Sequence, residues 1–159
     1  MIKNLYPNLF GLNLKYIMKN IHWLVPYKIN NPNDITNVNL ASIRLRSSLF
    51  NLPQFSQYNL SINESIENIH SVDYLFVGKF ANNREDLIKT WGEFIYEHRK
   101  NNKKLFLDYT DHHLLKDTLA GKFYKENLKP EDQVITSSEK LKNYLKPFFK
   151  NISIIKDPI

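Results

Sequence analysis

The feature that most narrows what this chain can fold into is its alternation of short apolar runs with amphipathic stretches. Ile21-His22-Trp23-Leu24-Val25 is a short apolar run stopped by Pro26, which reads as a buried first strand. A turn-rich loop over residues 30–34 follows. Val38, Ala41, Leu45, Leu49 and Leu52 then recur at three- and four-residue spacing before Pro53, predicting a helix with a clear stop. Gln57 to Asn63 is a second strand with Tyr58, Leu60 and Ile62 on one face. Residues 73–78 form a third strand. Leu87, Ile88, Trp91, Phe94 and Ile95 line one face of a helix over Arg84 to Lys100. Residues 104–108 are a fourth strand, followed by a broken helical stretch from His113 to Leu128 weakened by Gly121. Residues 132–136 are a fifth strand. Ser137 or Ser138 caps a helix whose face is Leu141, Tyr144, Leu145, Phe148 and Phe149, and residues 152–155 close as a sixth strand.

Strands alternating with helices imply crossover connections. The fold class is therefore α/β: a doubly wound, mostly parallel sheet of about six strands with helices on both faces. At 159 residues there is room for one such core, with residues 1–20 as an extension and 21–159 as the domain. No cysteine is present, which excludes disulfides, thiolate metal sites and cysteine nucleophiles and is compatible with a cytoplasmic setting. The N-terminal segment is too interrupted by Asn4, Asn8 and Asn13 for a signal-peptide core, though its lysines leave open a peripheral seat on a membrane. The net charge of +6 favours anionic partners, but the lysines are spread over most elements, which argues against a nucleic-acid footprint.

In sheets of this kind ligands bind outside the carboxyl ends of the strands, where the winding reverses. With the usual strand order, the first and fourth strands flank that point. The loop after the fourth strand, Asp108-Tyr109-Thr110-Asp111-His112-His113, is the densest chemical cluster in the chain. A carboxylate or imidazole there suits a general base, and the same residue types suit a divalent metal. Asp111 also suits a helix cap, accepting from the backbone N–H of His113 or Leu114. His22, alone beside a strand, reads as a core histidine. Arg44 and Arg46 stand roughly 200° apart on a helix and cannot share a face: one can reach the crevice to meet phosphate or carboxylate while the other meets solvent, and ion pairing at the surface or core rim suits either equally. No G-x-G-x-x-G follows the first strand, and neither a Walker lysine loop nor a G-x-S-x-G elbow occurs. No cofactor is expected.

Read together, "HWLVPY", "ASIRLR", "DYLFVGKF", "LFLDYTDHH", "DQVITSSEKLKNYL" and "ISIIKDPI" resemble, in their order, the N-terminal domain of GT-B fold glycosyltransferases of the glycogen-synthase-like group. The resemblance runs from Ile21 to Ile159. It implies an acceptor-binding lobe, with carbohydrate or lipid-linked acceptors and no metal requirement. The nucleotide-sugar donor would be held by a C-terminal lobe beyond these residues, without which the chain is inactive. By position it implies catalytic roles for Asp108, Asp111 and His112. It places Tyr27, Arg44, Arg46, Tyr109, His113, Ser137 and Asp157 at the substrate. The family's glycine-rich first loop has no counterpart here. An unpartnered lobe should also expose an apolar patch, with Tyr27, Tyr109 and the Pro158-Ile159 end as candidates. The other reading is a stand-alone module whose basic surface meets anionic membranes or polymers.

Overall fold

The computed structural model describes residues 18–30, 35, 38, 43 and 53–156. Six strands are present: β1 Lys19–Leu24, β2 Tyr58–Asn63, β3 Tyr74–Val77, β4 Lys104–Tyr109, β5 Gln133–Thr136 and β6 Asn151–Ile154. They form one all-parallel sheet in the order β2-β1-β3-β4-β5-β6. The helices are α1 Asp86–Lys100, α2 Leu119–Asn127 and α3 Glu139–Leu145. This is the expected Rossmann-like α/β architecture.

Register explains which residues make the core. Leu24, Val77, Leu107, Val134 and Ile152 stand side by side across the sheet. Because successive side chains alternate faces, Leu75, Leu105 and Tyr109 join them on one side. Leu87, Trp91 and Ile95 of α1, Phe123 and Tyr124 of α2, and Leu145 of α3 pack onto that face. The connections from β3 through β6 all run in one direction, which sends their helices to one side of the sheet. Helices were expected on both faces. Among the described residues, Trp23 and Val25 on the opposite face pack with Val38 and Ile43, and Tyr27 and Ile29 join that cluster. The helix expected over 38–52 otherwise lies outside the described residues.

Two expectations change. The winding reverses between β1 and β3, not between the first and fourth strands, because a single strand, β2, lies on the outer side of β1. Residues 64–73 carry the chain back across β1 through a short turn, Ile69–Ser71, capped by the Asn68 side chain. The helical stretch after β4 also begins at Leu119 rather than His113. The N–H groups of His113 and Leu114 donate instead to the Tyr109 hydroxyl, and the extended Thr118 caps the new start by accepting from Gly121 N. Gly121 does not weaken this helix. A Cβ there would lie 2.7 Å from the His113 carbonyl oxygen, so glycine is what lets the loop lie against the first turn.

Candidate functional site

The loops at the winding reversal are tied shut by the chain's own groups. Gly78 N donates to the Leu24 carbonyl at 2.9 Å, and a Cβ on Gly78 would come within 2.6 Å of that oxygen. Arg84 then binds three segments at once. Its guanidinium donates to the Pro26 carbonyl at 2.8 Å, to Glu64 at 2.8 Å and to Asp86 at 2.7 Å. Trp91 adds a hydrogen bond from its indole N–H to the Glu64 carbonyl at 2.9 Å. The Asp86 carboxylate, then Glu64, holds Arg84 well above the ordinary arginine range. Sequence reasoning passed over Arg84. One signal was available: a cation just before a helix start opposes the helix dipole, so it needs acids of its own.

The uncommitted chemistry lies further along, at the carboxyl ends of β4 and β5. The pleat splits the expected cluster. Asp108 points to the face away from the helices, level with Ile135, and is buried. Tyr109 points the other way and is 1% exposed, so it does not line an exposed patch as anticipated. Its hydroxyl accepts from His113 N at 2.6 Å and Leu114 N at 2.8 Å. That is the cap anticipated for Asp111. Burial raises the Tyr109 phenol above its ordinary value, which keeps it neutral. Asp111 is exposed and pairs with Lys79 from the loop after β3. Lys79 is a second residue sequence reasoning passed over, although it ends the "VGK" that closes β3.

His112 packs against Tyr144 of α3, with ring centroids 4.1 Å apart. His113 is 9% exposed, with its ring 6.2 Å from that of Tyr124. Burial pushes its imidazole below the ordinary value, so the ring is neutral at pH 7. Five buried side-chain atoms here have no hydrogen-bond partner: Thr110 Oγ1, His112 Nδ1, both ring nitrogens of His113, and Thr136 Oγ1. Unpaired buried polar groups are costly, so five of them on residues 110–113 and 136 make these strand ends the candidate site. Ser137 follows Thr136 and is half-buried, while its neighbour Ser138 caps α3.

Of the expected site residues, the structure therefore gathers Asp111, His112 and His113 beside Lys79 and Tyr144. Tyr27 stands apart: it is half-buried against Trp23 and Val25 at the end of β1, two strands from β4. Arg44, Arg46 and Asp157 lie outside the described residues. His22 is buried as expected, its Nδ1 2.7 Å from Ser61 Oγ. No three His, Asp or Glu side chains among the described residues converge in a way that could hold a metal ion.

Two grooves lie elsewhere. One of about 580 Å³ runs between α1 and α2 past Gly92, Tyr96 and Glu126, and one of about 550 Å³ sits at the amino ends of β4 and β5 near Arg99, Lys103 and Lys129. Their charged groups are largely committed. Arg99 pairs with Asp132, Lys89 with Glu93, and Lys103 donates to the carbonyls of His70 and Val72. The carboxyl-end cluster is the better candidate because Thr110, His112, His113 and Thr136 keep hydrogen-bonding atoms without partners.

No family model, curated protein or solved structure matches this chain. Any function therefore has to be argued from its own side chains and from the order of its segments. Among the described residues no helix is long and apolar enough to cross a membrane.

Proposed function

We propose that this chain is the acceptor-side lobe of a two-lobed glycosyltransferase of the glycogen-synthase-like group. The observation that carries the reading is the set of uncommitted hydrogen-bonding atoms on Thr110, His112, His113 and Thr136 at the carboxyl ends of β4 and β5. Open α/β sheets bind their ligands at that edge. The ordered segments "LFLDYTDHH" and "DQVITSSEKL", which build those two strand ends, support it.

In the reaction, an acceptor hydroxyl oxygen attacks the anomeric carbon of the donor sugar and the bond from that carbon to the diphosphate oxygen breaks. An imidazole, His112 or His113, takes the hydroxyl proton, and burial keeps that of His113 neutral for the purpose. Asp111 is a weaker candidate for base because Lys79 already holds its carboxylate. The departing diphosphate needs cationic groups supplied by a donor-binding lobe, carried on the same polypeptide or another one.

The test is transfer from nucleotide sugars by residues 1–159 alone and by the same residues joined to a donor-binding lobe of the same group. Transfer is expected only in the joined form. Turnover by residues 1–159 alone, abolished by Asp108→Asn, contradicts the half-site reading. The alternative of a basic module for anionic polymers has less support, because Arg99 and Lys103 are spent on internal partners.

A further inference from the structure

We propose that the groove between α1 and α2 receives an arginine-bearing segment of a partner protein, with the guanidinium laid on the Tyr96 ring among Glu93, Glu126 and the Asn127 amide oxygen. The groove shares no residue with the carboxyl-end cluster, so the inference stands apart from the transferase reading.

The first observation is shape. The core face of α1 is spent on Leu87, Trp91 and Ile95, while Gly92 and Tyr96 lie one turn apart on the flank that borders α2. A Cβ on Gly92 would come within 2.8 Å of Asn127 Oδ1, so the missing side chain lets the two helices close up and keeps the floor of the groove low. Its volume of about 580 Å³ falls in the range of about 300–1,000 Å³ typical of sites that take a ligand. From Ile88 to Glu97 it follows α1 for about 14 Å, the reach of roughly four extended residues. A polypeptide segment fills that length where a single small cation does not.

The second is the aromatic wall. Tyr96 is 64% exposed, and among the described residues no ring packs against it. A bare ring face of this kind attracts a cation, and a planar guanidinium stacks on it better than an ammonium. The methylene stem of an arginine can then lie along Ile88 and Gly92.

The third is the set of acceptors. Three carboxylates, Glu93, Glu97 and Glu126, line the groove against one cation, Lys89. The groove is therefore negative on a chain whose net charge is +6, the pattern a cationic partner recognises. Lys122 and Lys125 of α2 do not line it, and neither pairs with Glu126. The pairs that do form, Lys89 with Glu93 at 3.9 Å and Lys100 with Glu97 at 3.8 Å, join exposed side chains and contribute little. Asn127 adds a neutral acceptor: its Nδ2 donates to the Phe123 carbonyl at 2.9 Å, which turns Oδ1 toward Gly92. A guanidinium carries five N–H donors and no acceptor, so it matches this set. A phosphate or carboxylate would face like charge.

The experiment titrates the full chain, labelled with 15N, with a short blocked peptide carrying two arginines among alanines and leucines. The same peptide with citrulline at both positions keeps the shape and removes the charge. Saturable shifts of the Gly92, Tyr96 and Asn127 amides are expected with the arginine peptide, weakened by added salt, and the citrulline peptide should bind about tenfold more weakly or worse. Tyr96→Leu should weaken the arginine peptide by about two- to fivefold. Glu93→Gln together with Glu126→Gln should weaken it by about tenfold. Glu67→Gln removes an exposed acid outside the groove and should change affinity by less than about twofold.

Equal binding of the citrulline peptide overturns the proposal, and so does a set of shifts that misses α1 and α2 or is absent altogether. An effect of Glu67→Gln as large as that of the groove pair shows attraction to the whole surface and also counts against it. Spermidine bound as tightly as the peptide assigns the groove to a free polyamine instead. Self-association of the chain in sedimentation, lost in Tyr96→Leu, assigns it to a second copy and sinks the partner reading.

Discussion

Replacing Tyr109 with phenylalanine keeps the ring in the core and removes one oxygen, so it isolates what the hydroxyl contributes. That oxygen accepts from two buried N–H groups, His113 and Leu114, at 2.6 and 2.8 Å. Each buried donor left without a partner costs about 1–3 kcal/mol, and the loop can relax enough to recover part of that. A net loss of about 2–4 kcal/mol follows. In a domain of this size that corresponds to a fall in Tm of roughly 5–15 °C. Tyr124→Phe is the internal control, because the Tyr124 hydroxyl accepts one backbone N–H, from Phe80 at 2.9 Å. Its cost should be about half as large. Urea melts followed by circular dichroism give the stabilities, and hydrogen exchange at His113 and Leu114 reports whether the loop has been released. A Tyr109→Phe variant no less stable than Tyr124→Phe would refute the claim that this hydroxyl holds the histidine loop in place.

Two further predictions concern the frame around the site. Burial lowers the His22 imidazole from 6.5 to about 4. Between those values the unfolded chain binds the extra proton and the folded one does not, so stability falls as pH drops through that window. The full loss from His22 is about 3 kcal/mol. His98 and His113 are lowered by burial as well and act in the same direction. Urea midpoints measured from pH 7 to about 4.5 should therefore decline, less steeply in His22→Gln; a flat profile contradicts the account. Arg84→Met should cost about 1–3 kcal/mol and speed amide exchange in residues 27–30. Arg84→Lys should rescue little of this, since one ammonium cannot serve Pro26, Glu64 and Asp86 in the same geometry. Wild-type stability in the lysine variant would show that the three-way tie contributes nothing.

Strands such as β1, β3 and β4 were legible as apolar runs bounded by breakers, and β2 as Tyr58, Leu60 and Ile62 alternating with polar residues; the sheet contains all six. The helix over Arg84 to Lys100 was equally plain, since Leu87, Trp91 and Ile95 repeat with the helix period. The stretch after β4 was less so. The run from His113 to Thr118 reads as the opening of a helix, but a tyrosine hydroxyl from the preceding strand captures its first N–H groups. That competition depends on Tyr109 pointing to the helix side of the sheet, which no local pattern reveals. The candidate site divides in the same way. The acids and imidazoles of "DYTDHH" were visible as a cluster. Lys79 and Tyr144, from two other connections, were not visible as their partners.

Periodicity alone determined the α/β class and the number of strands, because local hydrophobic spacing encodes those properties. Tertiary structure decided the rest. It moved the winding reversal to β1 and β3, filled that crevice with Arg84, and turned Asp108 to one face while Tyr109 went to the other. It also left Thr110, His112, His113 and Thr136 without partners at the ends of β4 and β5. Such outcomes depend on which strand lies beside which, and strand order is set by packing over long sequence separations rather than by any local pattern.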